Sequence, residues 1–172
     1  MISLRAMTPA DLWLVARWLQ EPHVAKWFLV GSTLEQEISE IRDCVDGLVP
    51  THVLVAIDED RPVGWCQWYL IDDYPEHALG IASAPGEVGI DYAIGERSRI
   101  GVGLGTELIA ALVAHIRAKH PDAGITADPE AANIGSCRAL EKNGFQLVRR
   151  GQVASEPTDA PMAIYRRRPG ER

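Results

Sequence analysis

Apolar residues along this chain switch repeatedly between two spacings, and each switch marks a predicted element. ISLRAM (2–7) reads as a short strand. Thr8, Pro9 and Asp11 then start a helix whose Leu12, Val15, Ala16 and Leu19 recur at helical spacing until Pro22 ends the run. Leu34, Ile38, Ile41 and Val45 form a second amphipathic helix beginning near Thr33. Alternation at Val53, Val55 and Ile57 predicts a strand. The turn DEDRP and the strand VGWCQWYLI (63–71) complete a hairpin. Residues 72–86, interrupted by Pro75 and Pro85, read as a long loop, and EVGIDYAI (87–94) as a strand.

A glycine-rich stretch follows and leads into a helix carrying Leu104, Leu108, Leu112 and Ile116, which ends near Pro121. GITAD (124–128) is a short strand. The next helix runs from about Ala131 to Lys142, with Gly144 as its stop signal. FQLVRR and PMAIYRR form a closing antiparallel pair, and QVASEPTDA (152–160) between them reads either as their connecting loop or as part of a homodimer interface. The order is strand, two helices, three strands, helix, strand, helix, two strands. That predicts an α/β fold of the α+β mixed-sheet kind, not a regular doubly wound sheet.

Composition narrows the function classes. A chain of 172 residues, 47% hydrophobic, buries one core and forms a single domain over 1–172. No apolar stretch reaches membrane-spanning length and no amino-terminal signal peptide is evident, so a cytoplasmic protein without a membrane partner is expected. Cys44, Cys66 and Cys137 include no CxxC pair, and His52, His77, His115 and His120 have no metal-like spacing, so neither disulfides nor a metal site is expected.

The formal net charge of −7 runs against a nucleic-acid partner. The last seven residues, RRRPGER, hold four Arg and one Glu (+3), which leaves −10 for the rest. From Pro62 to Glu96 there is no Lys or Arg, while Asp72, Asp73, Glu76, Glu87, Asp91 and Glu96 are all acidic. Such a stretch is either a solvated acidic face or part of a cleft that attracts a polycation.

The glycines Gly101, Gly103 and Gly105 stand at every second position before a helix. A strand feeding a helix through glycines exposes unpaired N–H groups and a positive dipole end, and the missing Cβ atoms let a phosphate approach. The alternative is a turn with tight packing. No lysine follows Gly105, which excludes a P-loop, and the GxGxG spacing fails the dinucleotide fingerprint.

With its flanking strand and the later ADPEAANIGSCRALEKNGF, GVGLGTELIAAL resembles the acetyl-CoA-binding core of the GNAT acyltransferases over about residues 86–148. The segments ARWLQEPHVAKWF, GWCQWY and GIDYAIG extend the resemblance, over nearly the whole chain, to the aminoglycoside 6′-N-acetyltransferases. The resemblance implies the GNAT acyl-CoA N-acyltransferase fold and acetyl-CoA as cosubstrate. Arg99, Ile100, Gly101, Val102, Gly103, Leu104, Gly105 and Thr106 would then form the pyrophosphate turn. Tyr92, Ala93 and Ile94 would border the thioester, with an N–H of Ala93 or Ile94 as its oxyanion donor, and Asn133 would contact the pantetheine arm or serve only as a helix cap. Where the family's pyrophosphate motif often has Arg or Gln, Ile100 stands here. Where it usually places a tyrosine that protonates the leaving thiolate, Leu140 stands.

Acyl transfer to an amine needs a base near the acceptor. Asp91, an acid within an apolar strand and the counterpart of the family's acceptor-site aspartate, is the candidate, unless alternation turns it to solvent. Asp72, Asp73 and Asp128 are candidates for ammonium binding. Trp27 and Trp68 offer flat faces for a sugar or cation, or else pack in the core. The expected reaction is acetylation of a small polycationic amine, foremost the 6′-amine of an aminoglycoside. A siderophore hydroxylamine, a polyamine, a protein amine or a non-catalytic acyl-CoA-binding role are the alternatives.

Overall fold

A computed structural model describes residues 1–170. One seven-stranded sheet organises the chain: β1 (Ser3–Ala6), β2 (Thr51–Asp58), β3 (Arg61–Leu70), β4 (Val88–Ile94), β5 (Ile125–Ala127), β6 (Gln146–Gly151) and β7 (Met162–Arg167), in the order β1-β2-β3-β4-β5-β7-β6. Neighbouring strands are antiparallel except β4 and β5, which run parallel and pair only at Val88–Ile125 and Gly89–Thr126. Beyond Gly89 the two strands part, and β4 continues to Ile94 without β5 beside it.

Helices cover both faces. On one side α5 (Leu104–Lys119) turns Leu108, Ile109, Leu112 and Ile116 onto Val88, Ile90, Cys66 and Trp68. It is joined there by α6 (Ile134–Lys142), which buries Cys137 and Leu140. On the other side α1 (Leu12–Leu19), α2 (Pro22–Phe28) and α3 (Leu34–Val45) enclose Val53, Val55, Trp65 and Ala93. Thr33 caps α3: its hydroxyl accepts from the Gln36 N–H at 3.2 Å, and the Gln36 side chain accepts from the Thr33 N–H at 2.8 Å. Among the described residues no helix is long and apolar enough to cross a membrane.

The sequence pattern missed two short helices. Pro22 does more than end α1, because its fixed φ and absent N–H also suit the first position of α2. Likewise Pro75 starts α4 (Pro75–Ile81) inside the segment expected to be a loop, and Ala82 stops it in the left-handed conformation at φ +51°. Two turns are too few to establish an apolar period. α6 begins at Ile134 rather than near Ala131, with Asn133 as its cap. The 152–160 segment is the β6–β7 connection, packed through Val153 against Ile71, Ile81, Met162 and Ile164.

Candidate active site

The glycine turn sits at the head of α5. Gly101 and Gly103 have φ of +77° and +92°, conformations that favour glycine, and Gly103 is the residue preceding the helix. Nothing lies within 4 Å of an ideal Cβ at Gly101, Gly103 or Gly105, so the glycines leave open space. Buried Leu104 anchors the first turn in the core, while Ile100 and Val102 are exposed. Gly105 and Thr106 follow in that turn; the Thr106 and Glu107 N–H groups both reach the Gly103 carbonyl, at 3.0 and 3.2 Å, while the first helical N–H groups ahead of them have no carbonyl one turn back within the helix. Arg99 is drawn elsewhere: its guanidinium pairs with Asp58 at the end of β2, which also holds the Met1 ammonium at 3.1 Å. Arg99 is thus tied to the end of β2.

Backbone alternation decides what faces the gap between β4 and β5. Ile71 N–H bonds to Glu87 O and Gly95 N–H to Val63 O, so odd-numbered residues of β4 direct their backbone groups to β3. Even-numbered residues direct theirs the other way, as Val88 N–H does to Gly124 O. The peptide groups of Tyr92 and Ile94 therefore border the gap. Ala93 N–H does not; it belongs to the β3 ladder, which removes it as an oxyanion donor and leaves Ile94 of the expected pair. His23 on α2 donates from Nε2 to the Ile94 carbonyl at 2.9 Å, tying that helix to the end of β4.

Across the gap stands α6. The Tyr92 hydroxyl and Ser136 Oγ are 2.6 Å apart, and Asn133 accepts from the Ser136 N–H at 3.2 Å while also lining the cavity. Cap and cavity wall are one residue here. Leu140, one turn further, is fully buried and presents no protic group.

Two adjoining cavities of about 480 and 610 Å³, the first on the α1–α3 side of the sheet and the second reaching from there to Tyr92, Asn133 and Ser136 at the gap, share Phe28, Glu37, Glu40, Gln67, Asp91, Asp128 and Glu156. Trp27 walls the second, and its ring lies 4.7 Å from the Lys26 ammonium. Asp43 lines the first cavity and Glu130 the second, and among the described residues no Lys or Arg lines either. Asp91 accepts from Gln67 Nε2 at 2.9 Å across the β3–β4 ladder. Burial raises the Asp91 carboxyl above its ordinary range, opposed by the Gln67 hydrogen bond and by His77. Asp128 is pushed up to about 7 by burial and then by the charge of Asp91. Glu156 is also pushed up to about 7, by burial and then by Asp128. His77 lies between them, 3.6 Å from Asp128 and 3.5 Å from Glu156.

Three expected acceptor residues are not here. Trp68 alternates to the opposite face of β3, 5% exposed, where it packs in the α5 core and stacks on His52 at 4.1 Å. Its neighbours Gln67 and Tyr69 face the cavity instead. Asp72 and Asp73 are exposed in the turn after β3 and line neither cavity; Asp72 accepts from the Gly86 N–H at 2.8 Å and braces that turn. Trp27, Asp91 and Asp128 do converge. The residues missed from sequence, Glu37, Glu40, His77 and Glu156, come from α3, α4 and the β6–β7 connection, and no local pattern joins those segments.

A fold whose sheet splits between β4 and β5, with a glycine turn at the head of α5, defines the class. Residues 8–153 match the family described as acetyltransferase (GNAT) domain, and the chain belongs to that family. Within it, the chain is 27% identical to aminoglycoside N(6′)-acetyltransferase type 1 of Klebsiella pneumoniae, over 99% of this chain and 86% of that protein. It is also 35% identical over 88 residues to a kanamycin resistance protein of Rhizobium radiobacter, covering 51% of this chain and 80% of that one. Its structure is similar to that of aminoglycoside acetyltransferase AAC(6′)-Ib in complex with coenzyme A and kanamycin, at TM-score 0.83 and 27% identity, covering 98% of this chain and 95% of that one.

Proposed function

We propose that this chain transfers the acetyl group of acetyl-CoA to the 6′-amine of an aminoglycoside. The observation that carries the reading is the pairing of a cavity lined by several carboxylates and, among the described residues, by no Lys or Arg with a split in the sheet that opens beside it. A cationic acceptor offsets the charge of such a group of carboxylates. The relatives and the solved complex named above support both substrates. The open space at Gly101, Gly103 and Gly105 fits a pyrophosphate against the head of α5, and the gap lined by Tyr92, Asn133 and Ser136 fits the pantetheine arm.

The chemistry follows from where the groups stand. The acceptor enters as an ammonium without a lone pair, and Asp91 removes its proton, a task its raised proton affinity favours. The free amine attacks the thioester carbon, and the developing oxyanion takes the Ile94 N–H. The C–S bond breaks and coenzyme A leaves as a thiolate, a weak base, beside the Tyr92–Ser136 hydroxyls. Asp128, Glu156 and Glu37 hold the remaining ammonium groups, and Trp27 flanks the sugar.

Thiol release from acetyl-CoA by the purified protein tests this directly. Turnover with kanamycin-type acceptors that carry a 6′-amine, and none with 6′-hydroxyl analogues, is the expected result. Coenzyme A binding without turnover on any such acceptor would overturn it and favour another amine or an acyl-CoA-binding role.

A further inference from the structure

Asp91 and Tyr92 are neighbours in β4, and strand alternation sends their side chains to opposite faces of the sheet. Asp91 meets Gln67 in the acceptor cavities. Tyr92 packs against the core under α5 and α6 and holds its hydroxyl 2.6 Å from Ser136 Oγ at the gap. We propose that Tyr92 is a further catalytic residue, whose hydroxyl donates a hydrogen bond to the sulfur leaving the acetyl group, with Ser136 on α6 as its positioning residue. This rests on the acetyl-transfer reading above and adds to it the group that receives the leaving atom.

A count of protons supports the assignment. The two hydroxyls carry two O–H groups, and their mutual bond uses one. Among the described residues neither oxygen has another hydrogen-bond partner, so one O–H remains to be used. The other side chains at the gap offer no hydroxyl: Ile90, Ala127 and Pro129 are apolar, and the Asn133 side-chain oxygen accepts from the Ser136 N–H. A phenol is a far stronger donor than an alkyl hydroxyl. Ser136 therefore donates to the phenol oxygen, which fixes the ring oxygen and strengthens the bond that Tyr92 itself donates.

Burial raises the Tyr92 phenol above its ordinary range, opposed by the Ser136 hydrogen bond. The hydroxyl thus keeps its proton and acts as a fixed donor, in the manner of an oxyanion hole turned toward sulfur. As the tetrahedral intermediate collapses, the C–S bond breaks, its electron pair goes to sulfur, and the acetyl C=O re-forms. The Tyr92 O–H offsets the charge on sulfur. The product nitrogen, which gave its first proton to Asp91, gives its second to water, and the thiolate takes one from water on release. Proton removal and sulfur departure therefore fall on opposite faces of one strand.

Coenzyme A is bound to the full-length protein and its thiol titrated by ultraviolet thiolate absorbance, as the difference from the complex with desulfo-coenzyme A. No acceptor is needed. The bound thiol should titrate about one pH unit lower in wild type than in Tyr92→Phe, a tenfold difference in ionisation. Ser136→Ala should lose part of that shift and Ser136→Thr should restore it. Desulfo-coenzyme A, which lacks the sulfur, should bind wild type and Tyr92→Phe equally, which checks that the variant is folded with its cofactor cleft intact. With kanamycin, Tyr92→Phe should lower kcat by about tenfold or more at unchanged acetyl-CoA KM. Equal thiol titration in wild type and Tyr92→Phe overturns the proposal. Wild type that shows the thiol shift but does not acetylate kanamycin refutes the acceptor reading and leaves the sulfur donor in place.

Discussion

The two sides of the cleft are built from different materials. On the proposed reading the donor side is mainly backbone: open glycines, a helix terminus and the stretch of β4 that β5 does not pair, contributed largely by one run of chain from Tyr92 to Thr106. The acceptor side is charged side chains delivered by α3, β4, the end of β5 and the β6–β7 connection. A phosphate-bearing donor is met by fixed N–H dipoles, which need only conformation. A polycation must be met by carboxylates, and packing several together raises their proton affinities through burial and mutual repulsion.

The largest expected effect breaks the acceptor side alone. Asp91→Asn should lower kcat by roughly 10²–10⁴-fold, the scale of general acid–base catalysis, while coenzyme A affinity stays near normal. Activity within a few-fold of wild type would mean that Asp91 is not the base.

Trp68→Ala probes the boundary between site and core. It should destabilise the fold by ~3–5 kcal/mol, as other buried aromatic truncations do, with little change in acceptor KM for the folded fraction. A large KM change at unaltered stability would return Trp68 to the site.

The donor side breaks at its glycines, and the choice of glycine matters. Gly103→Val adds both a side chain and strain at a φ of +92°. Gly105 lies within the helix and has open space around it, so Gly105→Val isolates occlusion without left-handed strain. Calorimetry should show coenzyme A binding weakened by about tenfold, or ~1.4 kcal/mol, with thermal stability unchanged. Unchanged affinity would remove the pyrophosphate from this turn.

Subtler effects come from pH. Asp128 and Glu156, both near 7, gain protons as pH falls through neutrality, so acceptor KM should rise there and acetyl-CoA KM should not. Their raised proton affinities also oppose stability. The folded state binds more protons than the unfolded state between the ordinary carboxylate range and about 7, so stability falls as pH rises through that window. Asp128→Asn should therefore raise Tm at pH above 7 while raising the acceptor KM; a lowered Tm there would contradict the burial argument. Asp72→Asn, outside both cavities, should leave the kinetics within twofold, roughly the scale of an exposed substitution.

Local pattern captured all seven strands and the four longest helices, because each carries its own apolar period. It also located the glycine turn and Asp91, whose signals lie within a few residues. It failed where a signal was ambiguous or short. Trp68 and Gln67 are adjacent in the chain and point to opposite faces, and only strand pairing reveals which face lies under α5. The two prolines that read as breaks were first residues of helices too short to show a period.

What sequence alone established was the mixed sheet, the glycine turn before α5 and the acidic bias of the chain. Each depends on conformational preference or composition, properties that residues carry with them. Tertiary structure decided which acids share a cavity, which peptide N–H borders the gap, and that His77 and Glu156, 79 residues apart in the numbering, stand 3.5 Å apart. Those outcomes follow from where strands pair and where β4 and β5 separate, and no stretch of chain shorter than the whole sheet contains that information.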